Sequence, residues 1–240
     1  MELKGRVALV TGGATGLGRE IVAALAARGA SIGIGYGRSG AEALQAVVRA
    51  RQHGVEAEAF PADLSRAGDA ERLVNACAEH FRGRLDMLIN SAGTTAWIPF
   101  AQVKAVDDAT WDRILAVNLT APFACARAAS DLLAAQNGAI VNVASLAGLA
   151  PRGSSIPYSV SKAALIHLTL CLAAALAPRV RVNAVAPGDI ATDWAARTGR
   201  PEHPSTRPTL PTAEVVRAVM TLLESDGSTG QVVTLDPQLG

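Results

Sequence analysis

"VTGGATGLG", Val10 to Gly18, follows the apolar run "GRVALV" and leads into "GREIVAALAARGA", whose apolar residues recur at helical spacing. Strand, glycine-rich turn and helix make the opening of a βαβ unit, and the alternation continues down the chain. "SIGIGY" reads as a second strand before the helical "GAEALQAVVRARQHG", and "VEAEAF" leads through "PADLS" to the helical "AERLVNACAEHF". "LDMLIN" is a fourth strand, and "TWDRILAVNLTAPFACARAASDLLAAQ" reads as one long helix. "GAIVNVAS", "YSVSKAALIHLTLCLAAALA" and "VRVNAVAP" repeat the pattern, and "TAEVVRAVMTLLES" with "GQVVTLD" closes it. Strands that are apolar on both faces belong in a parallel sheet, which needs a helical crossover between successive strands. The expectation is one α/β domain over residues 1–240, a doubly wound parallel sheet of about seven strands with helices on both faces.

Composition narrows the function classes. Half of the 240 residues are hydrophobic and 18% are charged, enough for a sizeable core and unlike a disordered chain. A net charge of +1 with no Lys/Arg run argues against a nucleic-acid partner. The start, "MELKGRVALV", reads as neither a signal nor a transit peptide, and no stretch of eighteen uninterrupted apolar residues suggests a membrane span. Cys77, Cys125 and Cys171 are far apart and read as buried small hydrophobes in a reducing cytoplasm. The four histidines show no metal-ligand spacing, so no metal site is expected.

Glycines at 12, 16 and 18 would let the backbone turn sharply and approach a pyrophosphate held at a helix N-terminus. Their spacing is TGxxxGxG rather than the general GxGxxG. A carboxylate about twenty residues on would hold the ribose 2′-hydroxyl of NAD. Here the second strand ends at Tyr36, and no acid appears before Glu42. Arg38 and Ser39 stand there instead, and a guanidinium without a carboxylate favours NADP(H) over NAD(H). Thr15, just before the second glycine, adds no positive charge. Asp63, after the third strand, reads either as an acceptor for the adenine amino group or as a cap for the next helix.

"IPYSVSK" sets Tyr158 and Lys162 four residues apart, on one face of a helix. A free phenol near pKa 10 is a poor acid at neutral pH. A cation about 4–6 Å away, at an effective dielectric near 20, contributes roughly 3–4 kcal/mol towards lowering it. Ser145 ends the fifth strand, where open α/β sheets bind ligands, and could hydrogen-bond a substrate oxygen. Asn118 lies in an otherwise apolar helix, where an amide needs a partner.

Taken in order, TGxxxGxG at Thr11–Gly18, "NSAG" at Asn90–Gly93, "VNLT" around Asn118, Ser145, YxxxK at Tyr158–Lys162 and "PGDIAT" at Pro187–Thr192 resemble the short-chain dehydrogenase/reductase family, in its single-domain Rossmann-type branch. The resemblance spans essentially the whole chain. It implies a catalytic set of Asn118, Ser145, Tyr158 and Lys162, with Lys162 also on the nicotinamide ribose and Asn118 holding a water. It further implies that Gly12, Thr15, Gly16, Leu17 and Gly18 cradle the pyrophosphate, and that Tyr36, Arg38 and Ser39 meet the adenosine ribose. Asp63, Leu64, Asn90, Ala92 and Gly93 would line the adenosine side, and Pro187, Gly188, Ile190 and Thr192 the nicotinamide pocket. Two positions depart from the family pattern: Ser91 replaces a second asparagine, and the chain ends "TLDPQLG" instead of a strand followed by two glycines.

The resulting expectation is a cytoplasmic NADP(H)-dependent oxidoreductase interconverting a ketone and a secondary alcohol, 3-oxoacyl-reductase-like and run as a reductase. The alternatives are an NAD-linked alcohol or sugar dehydrogenase and a catalytically idle nucleotide-binding regulator. The implied partners are a small carbonyl or alcohol substrate and copies of the same chain, as a tetramer or dimer built through the alanine-rich long helices. Residues 193–211 are the expected substrate loop, read as either a flap or a surface loop. Trp97, Phe100, Pro151, Arg152 and Trp194 are candidate pocket walls.

Overall fold

Val7–Thr11 has no polar side chain before its last residue, so neither face of this strand can look at water. In the computed structural model, which describes residues 1–200 and 208–236, it lies near the centre of a seven-stranded sheet. Strands β1 (Val7–Thr11), β2 (Ser31–Tyr36), β3 (Ala57–Pro61), β4 (Met87–Asn90), β5 (Ala139–Val143), β6 (Arg181–Pro187) and β7 (Val232–Leu235) run in the order 3-2-1-4-5-6-7. Every pairing is parallel. Pro61, which cannot donate to a ladder, sits on the edge strand β3. The order reverses between β1 and β4, and ligands of such sheets bind outside the strand C-termini at that reversal.

Helices α1 (Gly16–Ala27), α2 (Gly40–Arg51) and α8 (Thr212–Glu224) cover one face. Ala8, Val10, Ile32, Ile34 and Ile89 meet Ile21, Leu25, Val47 and Val219 there. The opposite face carries α3 (Asp69–His80), α5 (Ala121–Ala135) and α6 (Ile156–Leu176), with Leu9, Leu88 and Ile140 against Leu73, Leu133 and Leu172. By length and composition α6 could cross a membrane, but its buried face lies on this sheet and holds Ser161 and Lys162. Asp86, fully buried just before β4, accepts from Arg6 (2.7 Å), Arg84 (2.8 Å) and the Val7 amide (2.9 Å). Burial pushes its carboxyl up, yet these three donors outweigh burial and hold it below the usual carboxylate range. The clamp ties the starts of β1 and β4 together, fixing the two strands that flank the reversal.

The single long helix expected over 110–136 is broken. Asp108–Leu115 (α4) passes through a π-helical turn, Ala116–Thr120, into α5. Pro122 is the reason: it has no N–H for the carbonyl of Asn118 four residues back, so the ladder loosens where the asparagine turns inward. Within the expected substrate loop, Trp194–Arg197 forms a short helix, α7, while residues 201–207 lie outside the described residues. The C-terminal departure lies partly there too, at residues 237–240. Cys77 and Cys125 are buried, their thiols pushed up to about 12 by burial, but Cys171 is exposed on the outer side of α6, against expectation.

Candidate active site

The glycine turn is built by two backbone approaches that no side chain could share. Gly12 has φ +66°, and a Cβ there would stand 2.9 Å from the Cα of Ala92. A Cβ on Gly18 would stand 2.2 Å from the Gly12 carbonyl oxygen, so the first turn of α1 presses against the strand-turn corner. The Thr15 side chain makes no capping bond, which leaves the first N–H groups of α1 facing the turn. A bare backbone cradle in front of an uncapped helix N-terminus suits a pyrophosphate, so the residues present fit a dinucleotide. Thr11, the first residue of TGxxxGxG, fixes the second wall: its hydroxyl accepts from the amides of Ser91 and Ala92, both at 3.1 Å.

Several expected cofactor residues offer only their backbone. Leu17 and Leu64 turn their side chains into the two cores. The Asn90 side chain is buried in the sheet, donating to Asn142 Oδ1 at 2.8 Å, and Asn142 in turn donates to Thr169 at 2.9 Å. Asn90 thus braces β4 against β5 through its Nδ2, while its buried Oδ1 has no partner among the described residues. Asp63 accepts from both the amide (3.1 Å) and the hydroxyl (2.6 Å) of Ser65, and these bonds, with Arg66 and Arg38 nearby, hold its carboxyl below the usual range. It does not cap α3, whose N-cap is Gly68, so the capping alternative is removed. Tyr36, Arg38 and Ser39 sit together at the C-terminal end of β2. Pro187, Gly188, Ile190 and Thr192 leave β6, and Ile190 pairs with Leu210.

Tyr158, Lys162, Ser145 and Asn118 do converge. Ser145 follows β5 and caps the short 3₁₀ turn Leu146–Gly148, accepting from the Ala147 amide at 3.1 Å. Its hydroxyl also lies 3.4 Å from the Pro187 carbonyl. Ser155 caps α6 by accepting from the Tyr158 amide, and Pro157 fits the first turn. One turn on, Lys162 Nζ donates to the Val143 carbonyl at 2.8 Å and lies 5.8 Å from the Tyr158 ring centre. Asn118 is fully buried: Oδ1 accepts from the Thr94 amide (2.8 Å), while Nδ2 donates to the Thr94 carbonyl (3.0 Å) and to Ser161 (3.0 Å). Ser161, unremarked in the sequence, passes this on by donating to the Tyr158 carbonyl at 2.7 Å.

The electrostatics differ from expectation. Burial pushes the Tyr158 phenol above its ordinary value, a hydrogen bond with Ser145 pulls it down, and Asp189 adds to the rise. Lys162 takes no part in that balance, because burial pushes its own ammonium down to about 8 and it is neutral before the phenol ionises. The phenol stays protonated at neutral pH, which suits a proton donor.

A strap lies over this floor. A Cβ on Gly93 would meet the Trp194 ring at 3.5 Å, Asn118 Oδ1 at 3.6 Å and Lys162 Nζ at 3.9 Å. Trp97 Nε1 donates to Thr198 at 3.0 Å, and Arg200 stacks 5.1 Å from the Trp97 ring centre. Arg152 is held near Asp236 at 3.6 Å and the Leu146 carbonyl at 3.4 Å, so it is engaged instead of facing water alone. With Trp194 filling the space above Gly93, a cleft of about 970 Å³ lies to one side, between α1, α8 and the Ala191–Asp193 segment, meeting the turn at Gly16.

Comparison with known proteins agrees with this geometry. Residues 6–203 match the profile of the short chain dehydrogenase family. The chain is 38% identical to a protein described as ketoacyl reductase 2 of the granaticin polyketide synthase of Streptomyces violaceoruber, covering 96% of this chain and 94% of that one. It is 38% identical to a 3-oxoacyl-[acyl-carrier-protein] reductase of Synechocystis, over 80% and 76% of the two chains. A blue fluorescent protein from a metagenomic library, solved in complex with NADPH, superposes with a TM-score of 0.89 at 29% identity over 98% of each chain. A glycine cradle at the sheet reversal, a Ser-Tyr-Lys set at its floor and these relatives together place the chain in the short-chain dehydrogenase family, as an NAD(P)-dependent oxidoreductase acting on CH–OH and C=O groups.

Proposed function

We propose that this enzyme is an NADP(H)-dependent, 3-oxoacyl-reductase-like carbonyl reductase of the cytoplasm. The observation that carries the chemistry is the convergence of Ser145, Tyr158 and Lys162 at the C-terminal end of β5, with the glycine cradle across the sheet reversal. The 3-oxoacyl assignment draws on the names of the two sequence relatives and on their 38% identity.

In this reading Gly12, Gly16 and Gly18, with the amides of Thr15 and Leu17, hold the pyrophosphate. Tyr36, Arg38 and Ser39 take the adenosine ribose and its 2′-phosphate, and Asp63 the adenine. Backbone of Leu64, Asn90, Ala92 and Gly93 lines the adenosine side, and Pro187 to Thr192 the nicotinamide side. Bound nicotinamide coenzyme supplies the hydride. The residues of the chain manage the oxygen that gains charge as a carbonyl carbon is reduced. Ser145 donates a hydrogen bond to that oxygen as charge develops, and Tyr158 delivers the proton that makes it a hydroxyl. At neutral pH the Lys162 ammonium stands one turn from the phenol and would stabilise the tyrosinate left behind as the proton moves. Asn118 and Ser161 hold the start of α6 through the Tyr158 carbonyl, fixing where the phenol points.

The coenzyme preference rests on Arg38 and Ser39 at the end of β2, with no carboxylate between Tyr36 and Gly40. Arg38→Ala is expected to lower the ratio of kcat/KM with NADPH to that with NADH by about tenfold or more, the scale of one charged hydrogen bond. An unchanged ratio would remove Arg38 from the assignment. A ratio favouring NADH in the wild type would replace it with the NAD-linked alcohol or sugar dehydrogenase.

We further propose a homo-oligomer formed through α5 and α6. Val160, Leu170 and Cys171 are exposed along α6 at helical spacing, and Phe123 is exposed on α5. Light scattering should give a dimer or tetramer mass, and Leu170→Asp should shift it towards the monomer. A monomeric wild type would refute the assembly.

A further inference from the structure

Arg197 ends α7 and points away from the reacting centre. Its Nη2 donates to Ser39 Oγ at 2.8 Å, bringing together residues 158 positions apart in sequence. Its Nη1 stands 3.7 Å from Asp193 Oδ2, and Asp193 Oδ1 lies 3.5 Å from where a Cβ of Gly16 would be. One strap thus runs from the glycine turn to the end of β2, over the two places where a dinucleotide carries its phosphates. The turn itself, Gly12 to Thr15, contains no basic side chain. Arg38 makes no hydrogen bond or ion pair among the described residues, and acts on Asp63 only through its charge.

A 2′-phosphate carries nearly two negative charges and three acceptor oxygens, more than one guanidinium satisfies. We propose that Arg197 is the second ligand of the 2′-phosphate, delivered by the substrate strap. The inference rests on the NADP(H) reading above and deepens it. Arg197 offers five donors in a planar fork, of which one is used on Ser39, and its contact with Asp193 is too long for a hydrogen bond. A phosphate arriving at Ser39 therefore meets two guanidiniums and a hydroxyl, and draws Arg197 from the weak Asp193 pair. The phosphorylated coenzyme would then hold Trp194 in its place above Gly93, linking coenzyme identity to the position of the strap.

The test is calorimetric binding of 2′,5′-ADP and of ADP to the full chain, in the wild type and in Arg197→Ala, Arg197→Lys and Arg38→Ala. Arg197→Ala is expected to weaken 2′,5′-ADP by about tenfold and ADP by less than about twofold, the loss expected of a charge-assisted contact to the extra phosphate. Arg197→Lys should recover part of that loss, as a point charge without the fork. If Arg38→Ala loses 2′,5′-ADP affinity and Arg197→Ala does not, the inference is wrong and the coenzyme reading stands. Equal weakening of both ligands by Arg197→Ala would reduce Arg197 to a general strap contact and overturn its assignment to the phosphate. A wild type that binds 2′,5′-ADP no better than ADP would overturn the coenzyme reading and this inference together.

Discussion

Tyr158→Phe is expected to lower the turnover of carbonyl reduction by at least about 10²-fold, the low end for general acid catalysis, with NADPH affinity nearly unchanged. The substitution deletes one oxygen. The ring, its packing and the position of Lys162 all remain, so a binding titration should separate lost chemistry from lost structure. A kcat close to wild type would mean that another group delivers the proton. The pH profile of the wild type is a second readout of the same arrangement. Burial pushes Lys162 down to about 8 and pushes Tyr158 up, so both are protonated at neutral pH. As pH rises through about 8 the ammonium is lost while the phenol keeps its proton. The kcat/KM for reduction, which reports ionisations of the free enzyme, should therefore fall above about pH 8. A profile flat to pH 9.5 would exclude a role for the Lys162 charge.

Gly148→Ala should be nearly as damaging, although Gly148 carries no functional group. A Cβ there would stand 2.6 Å from the Lys162 carbonyl carbon and 2.7 Å from both the Lys162 oxygen and the Ala163 nitrogen. These are backbone atoms inside α6 and cannot step aside. The 3₁₀ turn behind Ser145 must then move off the helix that bears Tyr158 and Lys162, and a displacement of about 1 Å can lower turnover some 10²-fold. Forced overpacking of this kind costs about 1–3 kcal/mol, so a fall in thermal stability should accompany the lost activity. Wild-type kcat in a Gly148→Ala protein with unchanged melting would show that the turn and α6 are not in this contact.

The same pair of substitutions marks what was legible in the chain. Tyr158, Lys162 and Ser145 announce themselves because their chemistry and spacing are local, and one face of one helix follows from four-residue separation. Gly148 follows the fifth strand without a visible role, since nothing local says that another helix's backbone will lie against it. Thr11 and Ser161 were likewise visible as letters, but their partners, the Ser91 and Ala92 amides and Asn118, come from other elements. Pro122 was a missed signal: a proline four residues after Asn118 is sufficient reason to expect a broken ladder there. Electrostatics was the least legible of all. Four-residue spacing shows only the attraction of Lys162 for a tyrosinate, whereas burial, which depends on the whole covering of the site, acts on both groups and raises the phenol.

Apolar runs, helical periodicity and the glycine turn determined by themselves that this chain builds a parallel doubly wound sheet with a glycine cradle at its strand ends. Those signals act between residues a few positions apart, so the linear order preserves them. Only the folded chain decided that Asn90 braces the sheet, that Gly148 must stay bare, and that Arg197 reaches Ser39. Each of these depends on which surfaces meet when distant segments close on the sheet, and no local pattern encodes that distance.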